Sequence, residues 1–140
     1  MKPTQQVAHD LGCKYIYDDW YRINLHADKV KIGDTLIAET LPNDGIIDTS
    51  LSPMVKVSKR SMFAFLKHCD LDFKGREVGE IFDEMLEVAK KFIVRLDSMG
   101  VYEPIANTVE FNFERGFLDA NMAGVRVTLT LKDIAGGCVE

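Results

Sequence analysis

The sequence predicts an α+β protein in which a mainly antiparallel sheet packs against one long amphipathic helix, with a short N-terminal helix before it. From residue 76 to residue 99, apolar residues recur every three or four positions, which is typical of a helix with one buried face. From residue 108 to residue 132, two segments instead alternate apolar and polar residues, which is typical of half-buried strands. A helix and a sheet that each have one apolar face bury both faces by packing together.

The length and composition indicate one globular domain over residues 1–140, with a flexible tail expected over residues 134–140. Of the 140 residues, 46% are hydrophobic and 28% are charged, close to the averages of folded proteins. The formal net charge of −5 argues against a nucleic-acid-binding surface, which needs Lys and Arg to neutralise phosphates. The apolar runs are far shorter than the ~20 residues of a membrane-spanning helix, and the polar start does not resemble a signal peptide. We therefore expect a soluble protein made in the cytoplasm.

The first 41 residues contain one helix and several strands. Val7, Ala8 and Leu11 lie at helical spacing, so the short N-terminal helix is predicted over 4–11, with Gly12 ending it. Residues 14–25 are rich in aromatic and β-branched side chains and are interrupted only by Asp18 and Asp19. They predict two short strands, or one hairpin across the acidic pair. Residues 35–41 predict a further strand.

A long loop is expected from Pro42 to Pro53. It begins with the turn formers Pro42, Asn43, Asp44 and Gly45, and it carries Ile46, Ile47 and Leu51 among polar residues. A loop of this length in a compact domain is usually functional or becomes ordered on a partner.

The middle of the chain predicts strand and then helix. Residues 54–57 and 61–69 form either a strand pair or one long strand, with Phe63 and Phe65 on the same face, and residues 70–75 form a turn. The long helix is predicted over 76–99. Glu77 suits the positive end of its dipole, and Gly100 suits its C-terminus.

The last two strands, at 108–115 and 124–132, predict an antiparallel hairpin. Glu110 and Glu114 lie on the polar face of the first strand, and Arg126 and Lys132 lie on that of the second, which favours cross-strand ion pairs. The connection over residues 116–123 is apolar for a loop.

No group of residues has the spacing of a catalytic, cofactor-binding or metal site, so none is predicted. His9 and Cys13 are two possible metal ligands, but Gly12 ends the helix between them. His68, Cys69 and Asp70 resemble a thiol with its base, but adjacent strand residues point to opposite faces. The odd number of dispersed cysteines, which are Cys13, Cys69 and Cys138, indicates reduced thiols.

Carboxylates are frequent, but their positions favour structural roles. Glu80, Asp83, Glu84 and Glu87 fall opposite the apolar stripe of the long helix, which indicates a solvated face. The pairs at 18–19 and 70–72 fall in turns, where aspartate commonly bonds the local backbone.

Apolar residues that lie outside the expected core are candidates for contacts between subunits. Exposed apolar loops are unfavourable in a monomer and useful in an assembling subunit, although each could also close its own core. The candidates are Trp20, Tyr21, Ile46, Ile47, Leu51, Phe117, Leu118 and Met122.

The order of elements resembles the tail terminator and tail-completion (neck) proteins of tailed bacteriophages. The similar segments are the long helix in KGREVGEIFDEMLEVAKKFIVRLDSMG and the hairpin in NTVEFNFERGFLDANMAGVRVTLTLKD, above all the phrase FLDANMAGVRVTLTL. The resemblance implies a non-enzymatic structural subunit of the virion, assembled in the bacterial cytoplasm into a homo-oligomeric ring, expected to be hexameric. Its implied partners are neighbouring neck or tail-tube proteins, with DNA passing through the lumen and no membrane involved.

Two other functions remain open from the sequence. The first is a small-molecule-binding or regulatory domain with a pocket between helix and sheet near Trp20. The second is an enzyme that uses a carboxylate or thiol site.

Overall fold

The computed structural model describes residues 1–70, 72–117, 121–134 and 137–138. These residues form three helices and seven strands, in an α+β arrangement that confirms the predicted fold class. In chain order the elements are α1 (Pro3–Asp10), β1 (Lys14–Asp18), α2 (Trp20–Ala27), β2 (Leu36–Thr40), β3 (Asp44–Leu51), β4 (Met54–His68), α3 (Gly75–Ser98), β5 (Phe111–Phe117), β6 (Met122–Lys132) and β7 (Gly137–Cys138). No helix among the described residues is both long enough and apolar enough to cross a membrane.

All seven strands belong to one sheet. Five of them follow the order β1-β2-β4-β6-β5, and β3 and β7 each pair with β4. The pair β1–β2 is parallel and is connected through α2, whereas every other pair is antiparallel. The central strand β4 is 15 residues long, so the predicted alternative of one long strand is correct. Because β4 is longer than β2, its first half is left to pair with β3 on the same side.

The helices α1 and α3 cover one face of the sheet. The ring of Phe92 on α3 lies with its centroid 5.4 Å from Phe63 and 5.3 Å from Phe65, and all three side chains are fully buried. Burial of each such ring contributes about 1.5–3 kcal/mol. The long helix and the shared face of Phe63 and Phe65 are therefore confirmed.

The helix α2 packs on the opposite face, where the sequence predicted a strand. The Asp19 carboxylate accepts a hydrogen bond from the Arg22 backbone N–H at 2.9 Å and so caps the helix N-terminus. Ile23 and Ala27, four residues apart, are buried against the sheet. The strand propensity of Trp20, Tyr21 and Ile23 is overridden by this cap and by the burial.

The predicted loop over residues 42–53 is also wrong, because most of it is β3. Gly45 permits the close pairing with β4, since a Cβ atom there would lie 2.2 Å from the Ser58 carbonyl oxygen. The β-branched residues Ile46, Ile47 and Thr49 then favour an extended strand. The turn formers Pro42 and Asn43 lie between β2 and β3.

The C-terminal hairpin β5–β6 is antiparallel, as predicted, although β5 begins at Phe111 rather than at residue 108. Arg126 of β6 pairs with Glu114 of β5 at 3.1 Å, as the charge pattern of the two strands predicted. Of the tail expected over 134–140, Gly137 and Cys138 pair with Val55 and Met54 of β4, and residues 135, 136, 139 and 140 lie outside the described residues.

Candidate functional site

The strand β3 carries large apolar side chains that remain exposed. Ile46 is 66% exposed, Ile47 is 72% exposed and Leu51 is 68% exposed. Adjacent strand residues point to opposite faces, so Ile46 and Ile47 expose apolar surface on both sides of the strand. Among the described residues, β3 pairs only with β4, and its other edge is open.

Ionic contacts hold β3 in place on the sheet. The Asp44 carboxylate accepts two hydrogen bonds from the Arg60 guanidinium, whose contact lowers the pKa of Asp44. The Asp48 carboxylate accepts a bond from the Ser50 N–H at 2.9 Å and lies 3.7 Å from the Lys132 ammonium. The bonds from Ser50 are the main cause of the lowered pKa of Asp48. The exposed apolar side chains of β3 are therefore presented on an ordered strand.

A second exposed apolar surface lies at the far edge of the sheet, on β5. Phe111 and Phe113 are 44% and 43% exposed. The Phe113 ring stacks on Phe82 of α3 at 4.6 Å and meets the Phe111 ring edge-on at 5.2 Å. Within the described chain β5 pairs only with β6, so this edge is also open. We call Phe82, Phe111 and Phe113 the β5 aromatic cluster.

Some of the contact residues that the sequence proposed are exposed in the structure, and others are not. Tyr21, Ile46, Ile47 and Leu51 are exposed, although the isoleucines and the leucine belong to a strand and not to a loop. Trp20 is half-buried beside the α2 core.

Among the proposed residues whose side chains the structure describes, Met122 is the one that was wrongly expected outside the core. Its side chain is fully buried in the cluster between α2 and the sheet, and it cannot reach a neighbour. Phe117 has its backbone in β5, but its side chain and the whole of Leu118 lie outside what the structure describes.

Sequence reasoning missed Phe111 and Phe113 as exposed residues. Their alternation with polar residues indicated a buried face, and β5 does turn that face toward α3. However, β5 is the outermost strand, so only one neighbouring strand shields the rings. The strand order, which the sequence does not contain, was the missing information.

A buried polar cluster lies where α1 meets the sheet. The Glu39 carboxylate is only 3% exposed; it accepts a hydrogen bond from the Tyr15 hydroxyl at 2.6 Å and one from the Lys2 ammonium at 2.9 Å. The Tyr15 hydroxyl is also 3.2 Å from the Thr4 hydroxyl, and the Lys2 ammonium lies 3.2 Å from the centre of the Tyr17 ring. Burial and the bond to Glu39 raise the pKa of Tyr15.

This cluster borders a cleft of about 130 Å³, too small for most ligands. Both carboxylate oxygens of Glu39 accept a bond, and the raised pKa keeps Tyr15 protonated. The bonds of Glu39 to Lys2 and Tyr15 attach the start of α1 to the sheet, and we assign this cluster a structural role.

The residues considered for thiol and metal chemistry do not converge. Cys13 and Cys69 are free thiols, and burial raises the pKa of Cys13, which disfavours the reactive thiolate. Cys69 is buried, and His68 bonds through Nε2 to the Val30 carbonyl oxygen at 2.8 Å. Within the described ranges no three His, Cys, Asp or Glu side chains come together as metal ligands.

A groove of about 600 Å³ runs beside β6, at the end that β5 does not cover. Its lining combines the apolar residues Ile105 and Val109 with the polar residues Arg126, Thr128 and Thr130. Trp20, where the sequence predicted a pocket, does not line this groove and packs instead against the buried residues of α2.

No model of a known protein family matches the chain, and the comparison with curated proteins gave no significant match either.

Proposed function

We propose that this protein is a structural subunit of a tailed phage or prophage, which acts in a homo-oligomeric ring at the head–tail junction or at the end of the tail tube. The proposal combines the resemblance of the element order to tail terminator and tail-completion proteins with the exposed surfaces of the sheet. The observation that carries it is the ordered strand β3, with Ile46, Ile47 and Leu51 exposed at an open sheet edge.

Such a strand is unfavourable for a protein that remains a monomer. An open edge offers unpaired N–H and C=O groups to any other strand, and monomers usually protect it with proline, inward-pointing charges or a covering element. Ile46 and Ile47 instead place adjacent large apolar side chains at this edge. Contact with a neighbouring chain would both pair the edge and bury the apolar surface.

The two open apolar surfaces lie at opposite edges of the sheet and are formed by different strands, which supports a ring rather than a dimer. A surface that differs from its partner surface makes a head-to-tail contact, and repetition of that contact closes into a ring if the rotation allows. The net charge of −5 suits a ring whose lumen must let DNA slide through.

The assembly state of the purified chain tests the proposal. Size-exclusion chromatography with light scattering should show multimers of a single size at high concentration, and negative-stain electron microscopy should show rings. A chain that stays monomeric at every concentration and does not bind tail-tube protein would contradict the proposal.

A second test concerns the biological role. Inactivation of the gene in its phage or prophage should leave heads and tails unjoined, or tails of irregular length, and the intact gene supplied in trans should restore infectious particles. Normal particles in the absence of the protein would exclude the structural role.

The groove beside β6 favours one alternative, a small-molecule-binding domain. Its volume of about 600 Å³ is within the range of ligand pockets. A thermal-shift screen separates the two functions, because a ligand that binds the folded form must raise its melting temperature. Stabilisation by one chemical class, abolished by Thr128→Trp in the groove, would favour this alternative.

A further inference from the structure

We propose that β3 of one subunit pairs in antiparallel fashion with β5 of the next copy of the same chain, so that the sheet continues from subunit to subunit. This inference rests on the proposed ring and specifies the two surfaces that would form it. It commits to a second copy as the occupant of both open edges.

The directions of the strands support the pairing. β3 runs antiparallel to β4, β4 to β6, and β6 to β5, so β3 and β5 run in opposite directions within one subunit. A neighbour whose rotation leaves its strands at a small angle to those of the first subunit keeps these directions. Its β3 therefore meets β5 in the antiparallel sense, and the two strands are of similar length, at eight and seven residues.

The side chains on the two strands also match. Ile47 lies opposite Val57 of β4, and Phe111 lies opposite Val127 of β6, which in turn lies opposite Phe63 of β4. Because Val57 and Phe63 are an even number of residues apart on β4, all of these side chains, including those of Ile47 and Phe111, point to the same face of the sheet. Phe113 lies two residues from Phe111 on that face. Sheet continuation preserves the face and places Ile47 beside the β5 aromatic cluster, and pairs of aromatic and β-branched residues are favourable across strands.

The contact requires neighbouring subunits to be offset along the strands. β3 lies alongside residues 54–60 of β4, whereas β5 is aligned through β6 with residues 63–68. The offset is about eight residues, or roughly 26 Å at the rise of a strand. Each step therefore combines a sideways shift with a shift along the strands. Repetition of this step closes into a ring when the strands are tilted to the ring axis, as they are in a closed barrel.

A two-fold pairing of β3 with β3 is less favourable than the pairing of β3 with β5. It would bring together two strands that each carry Asp44 and Asp48 and no basic residue, with only Arg60 and Lys132 of the same subunit to offset the repulsion. Such a pair would also leave Phe111 and Phe113 exposed. The pairing of β3 with β5 covers both apolar surfaces with one contact.

Disulfide cross-linking tests the contact in the intact chain. In the starting variant Cys13 and Cys138 are replaced by serine, and Cys69 is left in the core. Ile47→Cys is then combined with either Phe113→Cys or Phe111→Cys. The two pairs test the two registers in which Ile47 of one subunit can lie opposite a phenylalanine of the next. Oxidation should give a ladder of covalent oligomers on non-reducing gels. Ile47→Cys combined with Val94→Cys on α3 is the matched control and should not give that ladder.

A charge substitution provides the second measurement. Ile47→Lys should weaken assembly at least about tenfold, because the ammonium loses hydration in the buried contact and the apolar contact of the isoleucine is lost. Val94→Lys is the control, since Val94 is 68% exposed and Ile47 is 72% exposed, yet Val94 lies on neither strand. Circular dichroism and thermal melting should show that both variants remain folded.

The outcomes distinguish this inference from the function on which it rests. If the wild-type chain forms rings but neither cysteine pair cross-links and Ile47→Lys assembles normally, the strand pairing is overturned and the ring stands. Cross-linking of Ile47→Cys alone into dimers would show β3–β3 pairing and would also overturn the inference. If the wild-type chain is a strict monomer, the proposed function and this inference both fail.

Discussion

The Tyr15 hydroxyl donates a 2.6 Å hydrogen bond to Oε1 of the buried Glu39 carboxylate, and this bond joins β1 to β2 inside the subunit. The second oxygen of Glu39 accepts from Lys2, at the start of α1. Val7 and Ala8 of α1 are buried against the same face of the sheet. The N-terminal helix is therefore fixed by apolar packing and by a polar network whose groups satisfy one another.

Loss of the tyrosine hydroxyl should destabilise the fold measurably. Tyr15→Phe keeps the ring but removes the donor to a buried carboxylate, which costs about 1–3 kcal/mol. The control is Tyr17→Phe, which keeps the ring beneath the Lys2 ammonium and should change stability by less than about 0.5 kcal/mol. Urea denaturation followed by circular dichroism measures both, and equal midpoints for the two variants would contradict the role of the Tyr15–Glu39 bond.

Stability should fall at alkaline pH. Burial raises the pKa values of Tyr15 and Tyr102 above the ordinary value of 10.0. A group whose folded-state pKa is raised contributes stability that is present below the unfolded pKa and is lost as the pH rises through the folded pKa. Urea midpoints measured from about pH 8 to about pH 11 should therefore decline above about pH 10. The urea midpoint of Tyr15→Phe should decline less steeply with pH than that of the wild type. An equal decline in the two proteins would show that Tyr15 does not cause the loss of stability.

The sequence predicted best those elements whose local pattern agrees with their final environment. The helix α3 buries Met85, Phe92 and Leu96 on one stripe, so its period was visible in the residues. The alternation around Phe63 and Val125 was visible for the same reason, since one face of those strands meets α3. Here local preference and tertiary packing point to the same structure.

The errors lie where tertiary contacts override local pattern. Trp20 and Ile23 have strand propensity, but the Asp19 cap and the connection between parallel β1 and β2 require a helix. All five residues of β2 are buried because helices cover both faces there, so Glu39 could not be recognised as buried from alternation. In the candidate site, Ile46 and Ile47 were recognised as exposed, whereas Met122 was not recognised as core.

The cap of α2 can be tested directly. Asp19→Ala removes the carboxylate that accepts the Arg22 N–H, and it should cost about 0.5–2 kcal/mol. Asp28→Ala, at the other end of the same helix, is the control and should be nearly neutral because Asp28 is exposed. Chemical denaturation compares the two. A greater loss in Asp28→Ala would contradict the assignment of Asp19 as the cap.

The pairing of β3 with β4 depends on a residue without a side chain at position 45. In Gly45→Ala the added Cβ would lie 2.2 Å from the Ser58 carbonyl oxygen, so the two backbones must separate. We expect a loss of about 1–3 kcal/mol, as for overpacked sites, with faster hydrogen exchange confined to residues 44–60. Gly79→Ala is the control, because nothing lies within 4 Å of a Cβ atom there and alanine favours a helix over glycine by about 1 kcal/mol. If β3 forms the contact between subunits, Gly45→Ala should also weaken assembly while Gly79→Ala leaves it intact. If the hydrogen-exchange rates of residues 44–60 are the same in Gly45→Ala and in the wild type, the pairing of β3 with β4 does not depend on the close approach of Gly45 to Ser58.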